Sequence, residues 1–104
     1  MQKIAFKMQL KPGCREEYKR RHETVWPELK ALLKESGISD YTIFLDEASN
    51  TLFAVQVRSS DRSSQALGAD PLMQKWWAYM ADISVTNPDN SPVSTPLEEV
   101  FHMD

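Results

Sequence analysis

YTIFLDEASNTLFAVQV, residues 41–57, decides the fold. Tyr41–Leu45 and Leu52–Val57 are rich in β-branched and aromatic residues, and the polar, turn-prone DEASN between them marks a β-hairpin. In the first run Tyr41, Ile43 and Leu45 share one face, with Thr42 and Phe44 on the other. In the second, Leu52, Ala54 and Gln56 lie opposite Phe53, Val55 and Val57. Both faces carry bulky apolar residues, whereas an antiparallel sheet with one solvated face alternates more cleanly. The second face is therefore expected to pack on another sheet, most simply that of a second copy, as a C2 homodimer with the sheets face to face.

Working outward, Ile4, Phe6, Met8 and Leu10 alternate with Ala5, Lys7 and Gln9, which predicts a strand over 3–10 that Pro12-Gly13 ends. A helical pattern runs from about Cys14 to Ser36, and Gly37 stands where a left-handed C-terminal cap belongs. Asp61 is read as the cap of a short helix. Asp70-Pro71 opens a second helical run, LMQKWWAYMADI (72–83), with Pro71 suited to its first turn. Residues 84–96 hold three prolines and are expected to be irregular, and 97–103 reads as a last strand. The order β-α-β-β-α-β predicts a single α+β domain of ferredoxin-like type. Its antiparallel sheet carries both helices on one face, in a dimeric α/β-barrel type of assembly.

The chain has 104 residues and a formal net charge of −3, with no repeat or linker. That charge argues against a phosphate-backbone binder, so no nucleic-acid partner is expected. MQKIAFKMQL lacks a signal peptide's apolar stretch, and no run approaches the ~18 residues of a membrane span. One cysteine, Cys14, excludes an internal disulfide or a multi-cysteine zinc site. The expectation is a soluble cytoplasmic domain without a membrane partner. Glycine-rich phosphate loops, zinc-ligand spacings and basic stripes interleaved with aromatics are all missing, and with two histidines and one cysteine little metal-centred or thiol chemistry is expected.

At about 100° per residue, Tyr18, His22, Val25, Leu29, Leu32 and Leu33 form one stripe of the first helix. His22 on that stripe is either a hydrogen-bonded structural residue or a general acid/base, its ordinary pKa of about 6.5 suiting both directions of proton transfer. Pro27 cannot donate to the carbonyl of Glu23, so the helix should kink or restart between His22 and Trp26, which places His22 at a cavity edge. On the second helix Leu72, Trp76, Tyr79, Met80 and Ile83 share a stripe, and Trp77 lies about 100° round from Trp76. The tryptophans are either core aromatics or a stacking wall for a sugar or a flat ligand. Tyr41 faces the same space. The loop NPDNSPV, 87–93, is either a surface turn or a part of the site or assembly. His102 is expected to be structural or exposed, Cys14 has no assigned role, and Asp46, Glu47 and Asp61 read as turn and cap residues.

Tyr18-Lys19-Arg20-Arg21-His22, continuing to Trp26-Pro27-Glu28-Leu29, resembles the L-rhamnose mutarotase family. So do Lys75-Trp76-Trp77 with Tyr79-Met80, the loop Asn87–Val93 and the length, so that the similarity spans essentially the whole chain. The resemblance implies a homodimer of ferredoxin-like fold that interconverts the α and β anomers of L-rhamnose, without a cofactor, in rhamnose metabolism. It makes His22 the proton donor and Tyr18, Tyr41, Trp76 and Trp77 substrate contacts. Rival readings are another dimeric α/β-barrel enzyme, a small monooxygenase or haem-degrading type, and a non-catalytic sugar-binding module.

Overall fold

A computed structural model describes residues 1–59 and 66–104; the expected cap at Asp61 lies outside them. Four strands, β1 (Gln2–Gln9), β2 (Ile38–Asp46), β3 (Thr51–Arg58) and β4 (Ser94–Leu97), form one sheet in the order β2-β3-β1-β4, antiparallel at every pair. The described helices are α1 (Arg15–Glu23), α2 (Pro27–Glu35) and α3 (Pro71–Met80). This is the ferredoxin-like order expected, with the first helix divided.

The division follows from Pro27. Trp26, held in an extended conformation (φ −60°, ψ 130°) as the residue before a proline, is the N-cap of α2, and its carbonyl accepts from the N–H groups of Leu29 and Lys30. The chain therefore restarts rather than kinks, and α1 ends one residue after His22. Gly37 (φ 88°) terminates α2 as expected, its N–H donating to the carbonyl of Lys34. Asp70 caps α3 by accepting from the N–H of Leu72.

The hairpin turn is held by Asp46, whose carboxylate accepts from the N–H of Ala48 and the hydroxyl of Ser49, with Asn50 at φ 57°. Asp40 (φ 47°) sits in a bulge between Ser39 and Thr42, which lets Ile38 and Tyr41 both face the helices.

Two apolar clusters share the helix side of the sheet. One is built by Leu29, Ile38, Leu67, Met73, Trp76, Trp77, Met80 and Ile83, the other by Phe6, Met8, Leu10, Leu52 and Ala54. Tyr18, Tyr41 and Cys14 pack against both. On the opposite face, Phe44 pairs with Phe53 beside Lys7, and the next row is Thr42, Val55, Ala5 and Leu97. Phe44 is 61% and Phe53 37% exposed, so the apolar second face expected from the alternation is present and uncovered within one chain.

Three expectations change. The last strand is Ser94–Leu97 rather than 97–103, because a bridge between Thr86 and Pro92 and the Val93 N–H bond to the Val85 carbonyl close the preceding loop tightly. Strand pairing on β1 therefore begins earlier, and 98–104 has no regular structure. The helical run from 72 ends at Met80, and 81–83 form a turn. Tyr79, placed by its spacing on the core stripe, is instead exposed, and the buried face of α3 is Met73, Trp76, Trp77 and Met80.

Candidate active site

Where the two clusters meet, they leave a cavity of about 430 Å³. Met8 and Leu52 come to it from the sheet, Leu29 and Leu33 from α2, and Met73 and Met80 from α3. His22, Tyr18, Tyr41, Trp76 and Trp77, the five residues singled out from the sequence, all line it. The restart at Trp26 leaves His22 on the last turn of α1, facing open space instead of a continuing helix.

His22 is held on three sides. Nδ1 lies 2.9 Å from the backbone carbonyl of Tyr18, one turn earlier. A carbonyl only accepts, so the neutral ring carries its proton on Nδ1 and its lone pair on Nε2. The imidazole stacks on the Tyr18 ring at 4.3 Å between centroids and meets the Trp76 indole edge-on at 5.5 Å. Burial lowers its pKa below the ordinary 6.5, against a smaller upward pull from the Tyr18 carbonyl. At neutral pH the ring is a base.

The Tyr18 hydroxyl is driven strongly the other way, by burial first and by neighbouring Tyr41 second. At rest it is therefore a neutral O–H, able to donate a hydrogen bond or its proton to an oxygen in the cavity. One wall of the cavity thus presents a neutral base beside an O–H donor, the pairing that proton exchange between two oxygens requires. Gln9, Lys30 and Ser84 add polar groups around a mostly apolar lining. Among the described residues no group of three or more His, Cys, Asp or Glu is placed to hold a metal ion.

A depressed histidine pKa also sets a stability window. The unfolded chain takes up its proton near pH 6.5, whereas the folded chain does so only at lower pH, so stability is lost as pH falls between those two points. Thermal melts from pH 8 to pH 5 are expected to show this loss beginning at about 6.5, and His22→Ala should flatten that segment. An unchanged slope in the variant would remove His22 as its source.

The two tryptophans differ in their surroundings. Trp76 meets Trp26 edge-on at 5.1 Å, as well as His22. Trp77 separates the cavity from a second, more open one of about 580 Å³ bounded by Lys75, Asp89 and Asn90. A Cβ on Gly68 would come within 3.1 Å of the Trp77 ring, so a bare backbone is what lets the indole seat there. Trp26, Tyr79 and Arg21 surround the site and were not singled out from the sequence as site residues. Tyr79 stacks on Trp26 at 5.7 Å, and the Arg21 guanidinium lies 4.6 Å from the centroid of the Tyr79 ring.

The loop at 87–93 is a hairpin closed by its own hydrogen bonds. Asp89 accepts from the Ser91 N–H, Asn87 donates to the Ser91 hydroxyl, and Asn90 has φ 70°. Its Pro92 lines the cavity of its own chain, which makes the loop a wall of this site. His102 is exposed and paired with Asp104, and Cys14 donates only a weak bond to the Pro12 carbonyl.

The chain resembles known proteins throughout. The sequence model of the family described as L-rhamnose mutarotase matches residues 3–103. A protein of Bacteroides thetaiotaomicron named L-rhamnose mutarotase is 59% identical over 104 residues, all of both chains. One of the same name from Phocaeicola vulgatus is 57% identical over the same extent. The crystal structure of an L-rhamnose mutarotase from Formosa agariphila superposes with a TM-score of 0.93 at 54% identity, covering all of both chains. With a neutral base and an O–H donor on one wall of a sugar-sized cavity, and with matches over its full length, the chain belongs to the L-rhamnose mutarotase family.

Proposed function

We propose that this cavity interconverts the α and β anomers of L-rhamnose, with His22 moving the proton at the anomeric oxygen. The observation that carries the assignment is the imidazole itself, neutral, with Nδ1 committed to the Tyr18 carbonyl and Nε2 left as base.

Ring opening breaks the bond between C1 and the ring oxygen. His22 Nε2 takes the proton from the anomeric hydroxyl as its oxygen becomes the aldehyde carbonyl, and the Tyr18 hydroxyl supplies a proton to the departing ring oxygen. The aldehyde turns about the C1–C2 bond. On closure the C5 hydroxyl attacks the other face of C1 and returns its proton to Tyr18, while the imidazolium donates to the carbonyl oxygen. Atoms and charge balance over the cycle, and His22 is the proton donor in the half that forms the new anomer. Positioned acid/base groups give rate factors of about 10²–10⁴, enough for a reaction that proceeds unaided in water. Trp76 and Trp77 serve as a face for the sugar's C–H surface, and Tyr41 with Tyr18 as hydroxyl contacts. Saturation transfer between the anomeric protons of equilibrated L-rhamnose tests this directly. Transfer that depends on the protein is expected; its absence would refute the assignment.

The same proposal includes a homodimer and a cytoplasmic setting. The exposed Phe44–Phe53 pair supports the dimer, as do Val100, Phe101 and Met103 of the last segment, each more than three-quarters exposed. Among the described residues no helix is long and apolar enough to cross a membrane. Phe44→Lys adds a charge to that sheet face in the same row as Lys7, and sedimentation should show the wild-type dimer replaced by folded monomer. A variant with unchanged mass would move the interface elsewhere.

A further inference from the structure

The residue before His22 is an arginine whose side chain is only 10% exposed. Arg21 Nε donates to Glu17 at 2.7 Å, Nη1 to Asp82 at 2.8 Å and to the Tyr79 carbonyl at 2.8 Å, and Nη2 to Asp82 at 3.1 Å. Its flat face covers the Tyr79 ring. One guanidinium therefore ties α1 to the C-terminal end of α3, where it occupies a carbonyl that the helix leaves without a partner and adds positive charge at the negative end of the helix dipole. The bonds from Arg21 lower the Asp82 carboxyl, and those from Arg20 and Arg21 lower that of Glu17. Both carboxylates are thus committed anions at neutral pH.

The clamp reaches the site through rings. Tyr79, under the guanidinium, stacks on Trp26 and tilts against Trp76 at 5.7 Å. Trp76 meets both Trp26 and His22 edge-on. His22 and Trp76 come from different helices, so their 5.5 Å separation depends on how α1 and α3 are held against each other.

We propose that Arg21 is a positioning residue for proton transfer, fixing the His22 imidazole relative to the Trp76 indole by clamping α1 to the end of α3. The inference rests on the assignment of His22 given above. Only a planar, forked cation can serve Asp82 in bidentate fashion, reach Glu17 and a carbonyl, and lie flat on a ring. A lysine keeps the charge and loses that geometry.

Arg21→Lys therefore separates positioning from charge. The readouts are kcat and KM for anomer exchange of L-rhamnose, taken well below the melting temperature, and the imidazole proton signals of His22. The chain has two histidines, so His22→Ala identifies the signals by their disappearance. Displacements of about an ångström at a reacting group cost up to about 10²-fold, and here kcat is expected to fall by about 10-fold with KM changed less than about threefold. The His22 signals should shift as Trp76 and Tyr18 change their ring-current contribution. Asp82→Asn, at a residue 65% exposed, should move the same readouts in the same direction by less, and it substitutes if Arg21→Lys does not fold. A variant that lowers only the melting temperature, with kcat and His22 signals at wild-type values, would make Arg21 merely structural and overturn the proposal. So would a lower kcat with unmoved His22 signals. Near-normal turnover in His22→Ala would instead overturn the assignment on which the inference rests.

Discussion

His22→Ala is expected to lower kcat for anomer exchange by about 10²–10⁴-fold, the range a positioned acid/base group supplies. The fold should tolerate the change. The imidazole makes one hydrogen bond, to the carbonyl of a residue in its own helix, and alanine is the best helix former. Binding of L-rhamnose, followed by tryptophan fluorescence, should persist, because the indoles and both tyrosines remain. The contrast between lost turnover and kept binding separates a proton-transfer group from one that only holds the sugar. Turnover within a few-fold of wild type would show that another group moves the proton, and lost binding would show that His22 is a ligand contact first.

Trp76→Ala is expected to have the largest effect on stability among the site residues. The side chain is buried, edge-on to both His22 and Trp26, in the cluster that joins α2 to α3. Truncating a buried tryptophan costs about 3–5 kcal/mol, a large part of the 5–15 kcal/mol that typically holds a domain together. Denaturant melts should therefore show a markedly lower midpoint. Where the protein remains folded, both binding and turnover should fall, because the sugar's face and the neighbour that orients His22 disappear together. Trp76→Phe keeps an aromatic surface and should recover most of the stability. If both variants melted like wild type, Trp76 would not be the packing hinge its contacts describe.

The sequence carried much of this site in readable form. Period-two alternation is strict in strands, so Tyr41, Ile43 and Leu45 could be assigned to the helix side and Phe44 to the other before any coordinates. Pro27 announces its break because the missing N–H is a local, covalent property. His22, Tyr18 and the tryptophan pair are rare side chains at helical spacing, and the topology then brings them together.

Other features depend on partners far along the chain. Arg21 looks like a solvated cation on a charged helix, and its burial comes from Tyr79 and Asp82, 58 and 61 residues away. Leu97, Val100 and Phe101 have the composition of a strand, yet pairing is set by where the 86–92 hairpin returns the chain to β1. Tyr79 fits the apolar stripe by angle, but its ring is captured by Arg21 and Trp26 on the outer side. Gly68 gains its meaning only from the indole beside it.

The cavity's position between two clusters of the core has an engineering consequence. Substitutions that filled the space with larger side chains at Met73, Met80 or Leu52 would join sheet and helices into one continuous interior. They would raise the melting point and exclude the sugar in the same stroke. A screen of this chain for heat tolerance alone would therefore drift toward inactive proteins, and selection has to read turnover and heat resistance together.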